Sequence, residues 1–225
     1  MPLAGENVGL QIGWAGEKLT LLPERALWWA RQETLFVADI HLGKAGVFRK
    51  AGLPVPDTTH QCDLARLNRV LRATAAARLV ILGDLQHAPG ANDQSVIHAL
   101  QDWRAQHPNL NVVLVPGNHD RGPMAPLENL SIHCRNAPWS LAPFVCLHEP
   151  EHWAEGFALC GHWHPACRLT DRTGTGLSAP CFYFGRHIAV LPAFGEFTGR
   201  RHIQRKHGDR VFVVNGGDVI EVPPA

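Results

Sequence analysis

A chain of 225 residues with 45% hydrophobic content is long enough to bury one sizeable core. Its 21 Lys and Arg stand against 20 Asp and Glu, a formal net charge of +1. That balance excludes a strong global field for polyanions, so affinity for one has to come from a local basic patch or from bound metal. The N-terminal residues lack the basic-then-apolar run of a secretory signal, and no apolar stretch is long enough for a membrane helix. The expectation is a cytoplasmic protein that does not enter a membrane.

Residues 10–12 and 18–22 flank a Gly-containing turn and read as a hairpin. Residues 35–38 form a short apolar run that ends at Asp39, and a polar loop with Gly and Pro follows from His41 to about Pro56. From His60 to Ala77, Leu64, Leu67, Val70 and Leu71 recur at helical spacing with arginines on the other face. A second apolar run, 79–82, ends at Gly83-Asp84. Residues 93–107 read as another helix, with Asp93 as its N-cap. A third run, 111–115, ends at Pro116-Gly117-Asn118. Strand–helix–strand–helix–strand order implies parallel pairing with right-handed crossovers. Thereafter short apolar runs recur at 130–133, 144–147, 157–159, 181–184, 187–191, 211–214 and 219–222, separated by turns such as Asn215-Gly216-Gly217. This half reads mostly as sheet. With no repeat and no linker, the expectation is one domain over residues 1–225, α/β in class, with two sheets packed face to face and helices outside.

The six cysteines contain no CxxC pair, which argues against a zinc knuckle or a dithiol redox motif. Histidine, at 14 residues, is abundant, and several sit directly beyond apolar runs. In order these are Asp39-Ile40-His41, then Gly83-Asp84 with His87 shortly after, then Gly117-Asn118-His119-Asp120, then His148, then Gly161-His162-Trp163-His164. Each alone is weak, since a Gly-Asp is usually an ordinary turn. Five in sequence, each at a strand end, are a poor product of chance. Parallel strands present their C-terminal ends together, where open α/β sheets bind ligands. A carboxylate, amide and imidazole set suits Mn, Fe or Zn.

This ordered set resembles the signature of the calcineurin-like metallophosphoesterase family: D-x-H, GD, GNH(D/E), a later His, then GHxH. The resemblance implies a four-layer αββα fold and a two-metal phosphoesterase. It implies that Asp84 bridges both ions, that Asp39, His41 and His164 complete the shell of the first, and that Asn118, His148 and His162 complete the second. A hydroxide bridging the ions would attack phosphorus, with His119 as proton donor and Asp120 orienting it. His87 either faces the site as a substrate-binding residue or serves as a helix cap or surface residue. Trp163 either walls the site or packs in the core.

Two further stretches, residues 38–56 and 191–199, resemble a bacterial subfamily associated with an ATP-dependent DNA ligase and a helicase in a DNA-damage-response gene cluster. The sequence departs from that pattern at Arg200-Arg201, where a Gly-rich continuation is expected. The subfamily implies a manganese-dependent DNA endonuclease with general phosphodiesterase activity, and DNA, the ligase and the helicase as partners. Lys44, Arg49 and Lys50 follow the first motif and are candidates for holding backbone phosphates. A second basic run comprises Arg200, Arg201, Arg205, Lys206 and His207. Read from the charges alone, both are solvated faces. The rival functions are hydrolysis of a small nucleotide-like phosphoester and a non-catalytic scaffold.

Overall fold

The structure is a computed structural model and describes residues 9–50, 52, 59–87, 94–120, 125–150, 153, 155–170, 176–196 and 198–224. The first sheet has seven strands in chain order: β1 (Leu10–Trp14), β2 (Glu17–Leu22), β3 (Ala26–Trp29), β4 (Thr34–Val37), β5 (Arg78–Ile81), β6 (Asn111–Leu114) and β7 (Ile132–Cys134). The first four pair antiparallel and the last four parallel. The second sheet holds β8 (Trp139–Leu141), β9 (Phe144–Cys146), β10 (Phe157–Cys160), β11 (Pro165–Thr170), β12 (Gly176–Phe184), β13 (Ile188–Val190), β14 (Arg201–His202), β15 (Arg210–Asn215) and β16 (Asp218–Glu221). Within it β9, β10 and β13 run parallel. The helices are α1 (Lys44–Lys50), α2 (Thr59–Thr74), α3 (Gln94–Ala105) and the short α4 (Ala125–Glu128).

The alternation of side chains along a strand explains the layering. Leu35 and Val37, Leu79 and Ile81, and Val112 and Leu114 pack against α2 and α3, meeting Leu64, Leu67, Val70, Leu71, Val96, Leu100 and Trp103. The intervening Phe36, Val80 and Val113 face the other way, onto Phe144, Phe182 and Phe212 of the second sheet. Register places Phe36 opposite Val80 and Val80 opposite Val113, so these side chains form a continuous row. The sandwich with helices outside is therefore as the sequence pattern implies. The helices that contribute to a core cluster, among the described residues, do so on the first sheet's outer face. The second sheet's outer side carries smaller clusters, one built on Leu147, Ala158, Cys160 and Val190.

Two local readings need correction. Residues 44–50 form α1 rather than a loop. The stretch is short and holds Gly46, so it lacks the length over which helical periodicity becomes visible. Strand β3 was not legible either, because its Ala26-Leu27-Trp28-Trp29 run does not alternate between apolar and polar: three of its four residues are buried. The expected Asp93 cap and most of the stretch from Gly52 to Pro56 lie outside the described residues.

Phe36 is fully buried between the sheets. Phe36→Ala should cost about 3–5 kcal/mol in unfolding free energy by denaturant titration. Ile220→Ala, on a side chain 53% exposed, should stay within about 0.5 kcal/mol.

Candidate metal centre

Backbone pairing beyond the strand ends builds the site. Past β4 and β5 the ladder continues, as Asp39 N–H donates to Gly83 O (3.1 Å), His41 N–H to Asp84 O (2.8 Å) and Leu42 N–H to Leu85 O (2.9 Å). Asp39 and Asp84 are thereby set side by side, both buried. The second sheet reaches across as His162 N–H donates to Asp39 Oδ2 (2.9 Å), while within that sheet Gly161 N–H donates to His148 O (3.0 Å).

All seven proposed ligands form one continuous chain of close polar contacts. Asp39 Oδ1 lies 3.4 Å from His164 Nε2, and His164 Nε2 lies 3.3 Å from His41 Nε2. His41 Nε2 is 3.7 Å and His148 Nε2 3.5 Å from the same oxygen, Asp84 Oδ2. His148 Nε2 also lies 3.1 Å from Asn118 Oδ1 and 3.1 Å from His162 Nδ1. Asp84 Oδ2 is the point where the contacts through His41 and those through His148 meet.

Carbonyl groups fix which ring nitrogen faces inward. A carbonyl only accepts, so His148 Nδ1 donates to Leu82 O (3.0 Å) and His164 Nδ1 to Gly199 O (3.1 Å). In each neutral ring the lone pair is then on Nε2, the atom that faces the carboxylates. Burial pushes His41 down to about 2, with Lys44 and His164 adding to the effect, so its ring is neutral and offers one lone pair. Burial raises the Asp84 carboxyl above its ordinary value, opposed by His148 and by the N–H of His119. Among the described residues the ion pairs of Asp39 and Asp84 are to histidines alone. Carboxylate and imidazole lone pairs therefore converge on a buried spot where backbone N–H groups of His119 and His162 meet only part of the demand, an arrangement that a divalent cation satisfies. Close groupings of donor atoms occur in Asp39, His41 and His164, in Asp39, Asp84 and His148, and in His41, His87 and His119.

The backbone at the site is unusual. Asp39, His41, Asp84, His162 and His164 all have φ between +46° and +68°. Such left-handed geometry costs a non-Gly residue about 1–2 kcal/mol and persists where surroundings over-determine it. Two glycines admit the close approach. A Cβ on Gly117 would fall 2.2 Å from Asp84 Oδ1, and one on Gly83 would fall 2.0 Å from His148 Nδ1. The sequence showed these glycines within the GD and GNH elements, but not the contacts that require them.

His119 is held at both ends: its N–H donates to Asp84 Oδ1 (2.9 Å) and its Nδ1 to His87 O (2.6 Å). The expectation that Asp120 orients His119 is corrected. The Asp120 carboxylate accepts the backbone N–H groups of Asp84 (2.7 Å), Gly117 (2.9 Å) and Gln86 (3.2 Å). It ties the two loops that carry Asp84 and Asn118, while burial raises its carboxyl above the ordinary range. His87 lies at the site, its Nδ1 3.4 Å from His41 Nδ1 and its ring stacked on His119 at 4.9 Å. Burial holds it down to about 4.

Lys44 opens α1, and its ammonium is pushed below its usual value by burial while Asp39 and Asp84 pull upward. Lys44 and Arg49 line a small pocket with His41, His60, Asp63 and Thr198. The side chain of Lys50 lies outside the described residues. Trp163 packs with Tyr183 in the small cluster of the second sheet, under the Arg201 guanidinium at 4.8 Å. Arg200 donates to Ser178 O (2.7 Å), and Arg205 to Pro223 O.

The family model for calcineurin-like phosphoesterases matches residues 33–221. The chain belongs to that family. It is a metal-dependent phosphoesterase. Its structure is similar to the crystal structure of Pseudomonas putida nuclease MPE, with 36% identity and a TM-score of 0.82 over 95% of this chain and 99% of that one. Yfce, a phosphoesterase from E. coli, aligns at 16% identity and a TM-score of 0.45 over 85% of this chain and 99% of that one. Comparison with curated proteins finds no match. No helix among the described residues is long and apolar enough to cross a membrane.

Gly117→Ala in this phosphoesterase should displace Asp84 and strip bound metal, at a stability cost of about 1–3 kcal/mol. Gly13→Ala, with nothing within 4 Å of the added carbon, should keep its metal. Elemental analysis of the two purified variants decides it, and full metal in Gly117→Ala would contradict this account of the site.

Proposed function

We propose that the chain is a manganese-dependent DNA endonuclease with general phosphodiesterase activity, acting in DNA repair in the cytoplasm. The observation that carries the reaction is the set of donor atoms converging at Asp84, with His119 anchored beside them. The substrate class follows from the similarity, 36% identical over nearly all of both chains, to a protein described as a nuclease. Six free thiols suit a reducing compartment.

In this reading Asp39, His41 and His164 hold one divalent ion, Asn118, His148 and His162 the other, and Asp84 serves both. Bound there, the ions supply Lewis acidity toward the phosphoryl oxygens and lower the pKa of water. The neutral amide of Asn118 limits the negative charge of the shell, so an anionic phosphodiester can approach. His87 O holds His119 Nδ1–H, so the proton for the leaving oxygen is the one Nε2 carries when the ring is in its doubly protonated form, and its transfer leaves the ring neutral. Lys44, at the start of α1, and Arg49, further along it, are suited to hold backbone phosphates that flank the one cleaved.

The test is cleavage of circular single-stranded DNA and of bis(p-nitrophenyl) phosphate with Mn²⁺ added to metal-stripped protein. Asp84→Ala should abolish both activities together with metal binding. His119→Ala should keep its metal and lose about 10²–10⁴ in rate on DNA. The loss should be smaller for the p-nitrophenyl ester, whose leaving group needs no proton. A His119→Ala protein that cuts DNA at the wild-type rate would remove the proton-donor role. For the substrate, Lys44→Ala with Arg49→Ala should weaken DNA cleavage and flatten the slope of log affinity against log salt by about one per lost contact. Hydrolysis of the small diester should barely change. Equal loss of both activities would point instead to support of the fold, and cleavage of small esters without DNA would favour a nucleotide-sized substrate.

A further inference from the structure

The segment that follows β13 leans on the first ligand loop. Phe194 N–H donates to Ala38 O (2.8 Å) and Gly195 N–H to Asp39 O (3.1 Å), while Gly199 O receives His164 Nδ1 (3.1 Å). This segment therefore positions two of the three residues assigned to one ion, and its described residues before β14 form no strand. A cluster of charged side chains from α2 and the β2–β3 turn holds it. Arg66 of α2 donates to Phe194 O and to Glu196 Oε1, and to Asp63 Oδ1 at 2.8 Å. Its guanidinium stacks 4.4 Å from the centre of the Phe194 ring. Asp63 accepts the N–H of Glu196, and Arg25 from the β2–β3 turn reaches Glu196 Oε2 at 3.4 Å.

Two cations face two anions, so the cluster is neutral. The Arg66 and Asp63 side chains are only 12% and 5% exposed. A planar fork that serves a carbonyl, two carboxylates and a ring at once sets the position of the backbone from Phe194 to Glu196 in all directions. Among the described residues no hydrogen bond or ion pair joins the side chains of Arg66, Asp63, Glu196 and Arg25 to the donor atoms of the metal centre.

We propose that Arg66 is a positioning residue for the ion held by Asp39, His41 and His164, acting through Phe194 and Glu196. The inference rests on the two-ion reading of the site. Removing a partner that orients metal ligands lowers metal affinity by about 10–100-fold, and here the loss is confined to one of the two ions. The set around His148 keeps its own support from Leu82 O.

The experiment is calorimetric titration of metal-stripped protein with Mn²⁺. His164→Ala and His148→Ala serve to assign the two binding steps. In Arg66→Ala the step assigned through His164 should weaken about 10–100-fold, and the other should stay within about twofold. Arg66→Lys, which keeps the charge but not the fork, should fall between. The control is Arg210→Ala, an arginine similarly placed 4.8 Å over Phe212 and paired with Glu221, which should leave both steps unchanged. If Arg66→Ala fails to fold, Glu196→Gln, on a side chain 42% exposed, should weaken the same step in the same direction. Two wild-type steps in a folded Arg66→Ala or Glu196→Gln protein, or equal weakening of both steps, would overturn the proposal while leaving the metal reading intact. Wild-type protein that takes up fewer than two ions would overturn that reading and this inference with it.

Discussion

The structure is organised around two carboxylates, Asp39 and Asp84, buried side by side at the ends of adjacent parallel strands. Burying like charges together is among the most costly arrangements a fold can hold, and these two have only histidines as partners among the described residues. Neighbouring features serve to make the juxtaposition tolerable. Backbone N–H groups of His119 and His162 donate to the two carboxylates. The remaining lone pairs turn toward imidazole and amide atoms whose own lone pairs face inward. The arrangement suits a receptor for cations, which is why the chemistry of the donor set carries the functional reading.

The two sheets have separate tasks in this. The first brings Asp39, Asp84 and Asn118 together by simple parallel register, because three strands of similar length end on the same side. The second supplies His148, His162 and His164 from β9 and the loop after β10, and its approach depends on how the sheets pack. Phe36, Val80 and Val113 against Phe144, Phe182 and Phe212 set that distance. The core between the sheets is thus also what holds one half of the metal centre against the other.

Backbone carbonyls and amides do much of the orienting that side chains were expected to do. Leu82, Gly199 and His87 each place one carbonyl on an imidazole Nδ1. Asp120, which the sequence invites one to pair with its neighbour His119, instead gathers N–H groups from the Asp84 and Asn118 loops. A carboxylate next to a histidine in sequence need not meet it in space, since adjacent side chains leave the chain in different directions. The positive φ values at Asp39, His41, Asp84, His162 and His164 show how far the local backbone is bent to serve the cluster.

The sequence by itself determined the ligand types, their order and their place at strand ends. Apolar runs such as Leu79–Leu82 terminate directly at Gly83-Asp84, and that is a local property which spacing reveals. It also determined the amphipathic face of α2 and the predominance of sheet in the second half. Only the tertiary structure decided that residues 44–50 are helical, that β3 joins the first sheet, that Asp120 ties loops, and that Arg66, Asp63, Glu196 and Arg25 meet. The physical reason is the same in each case. Short elements carry too little periodicity to be recognised, and a hydrogen bond between groups far apart in the chain is selected by packing, which no local pattern of residues encodes.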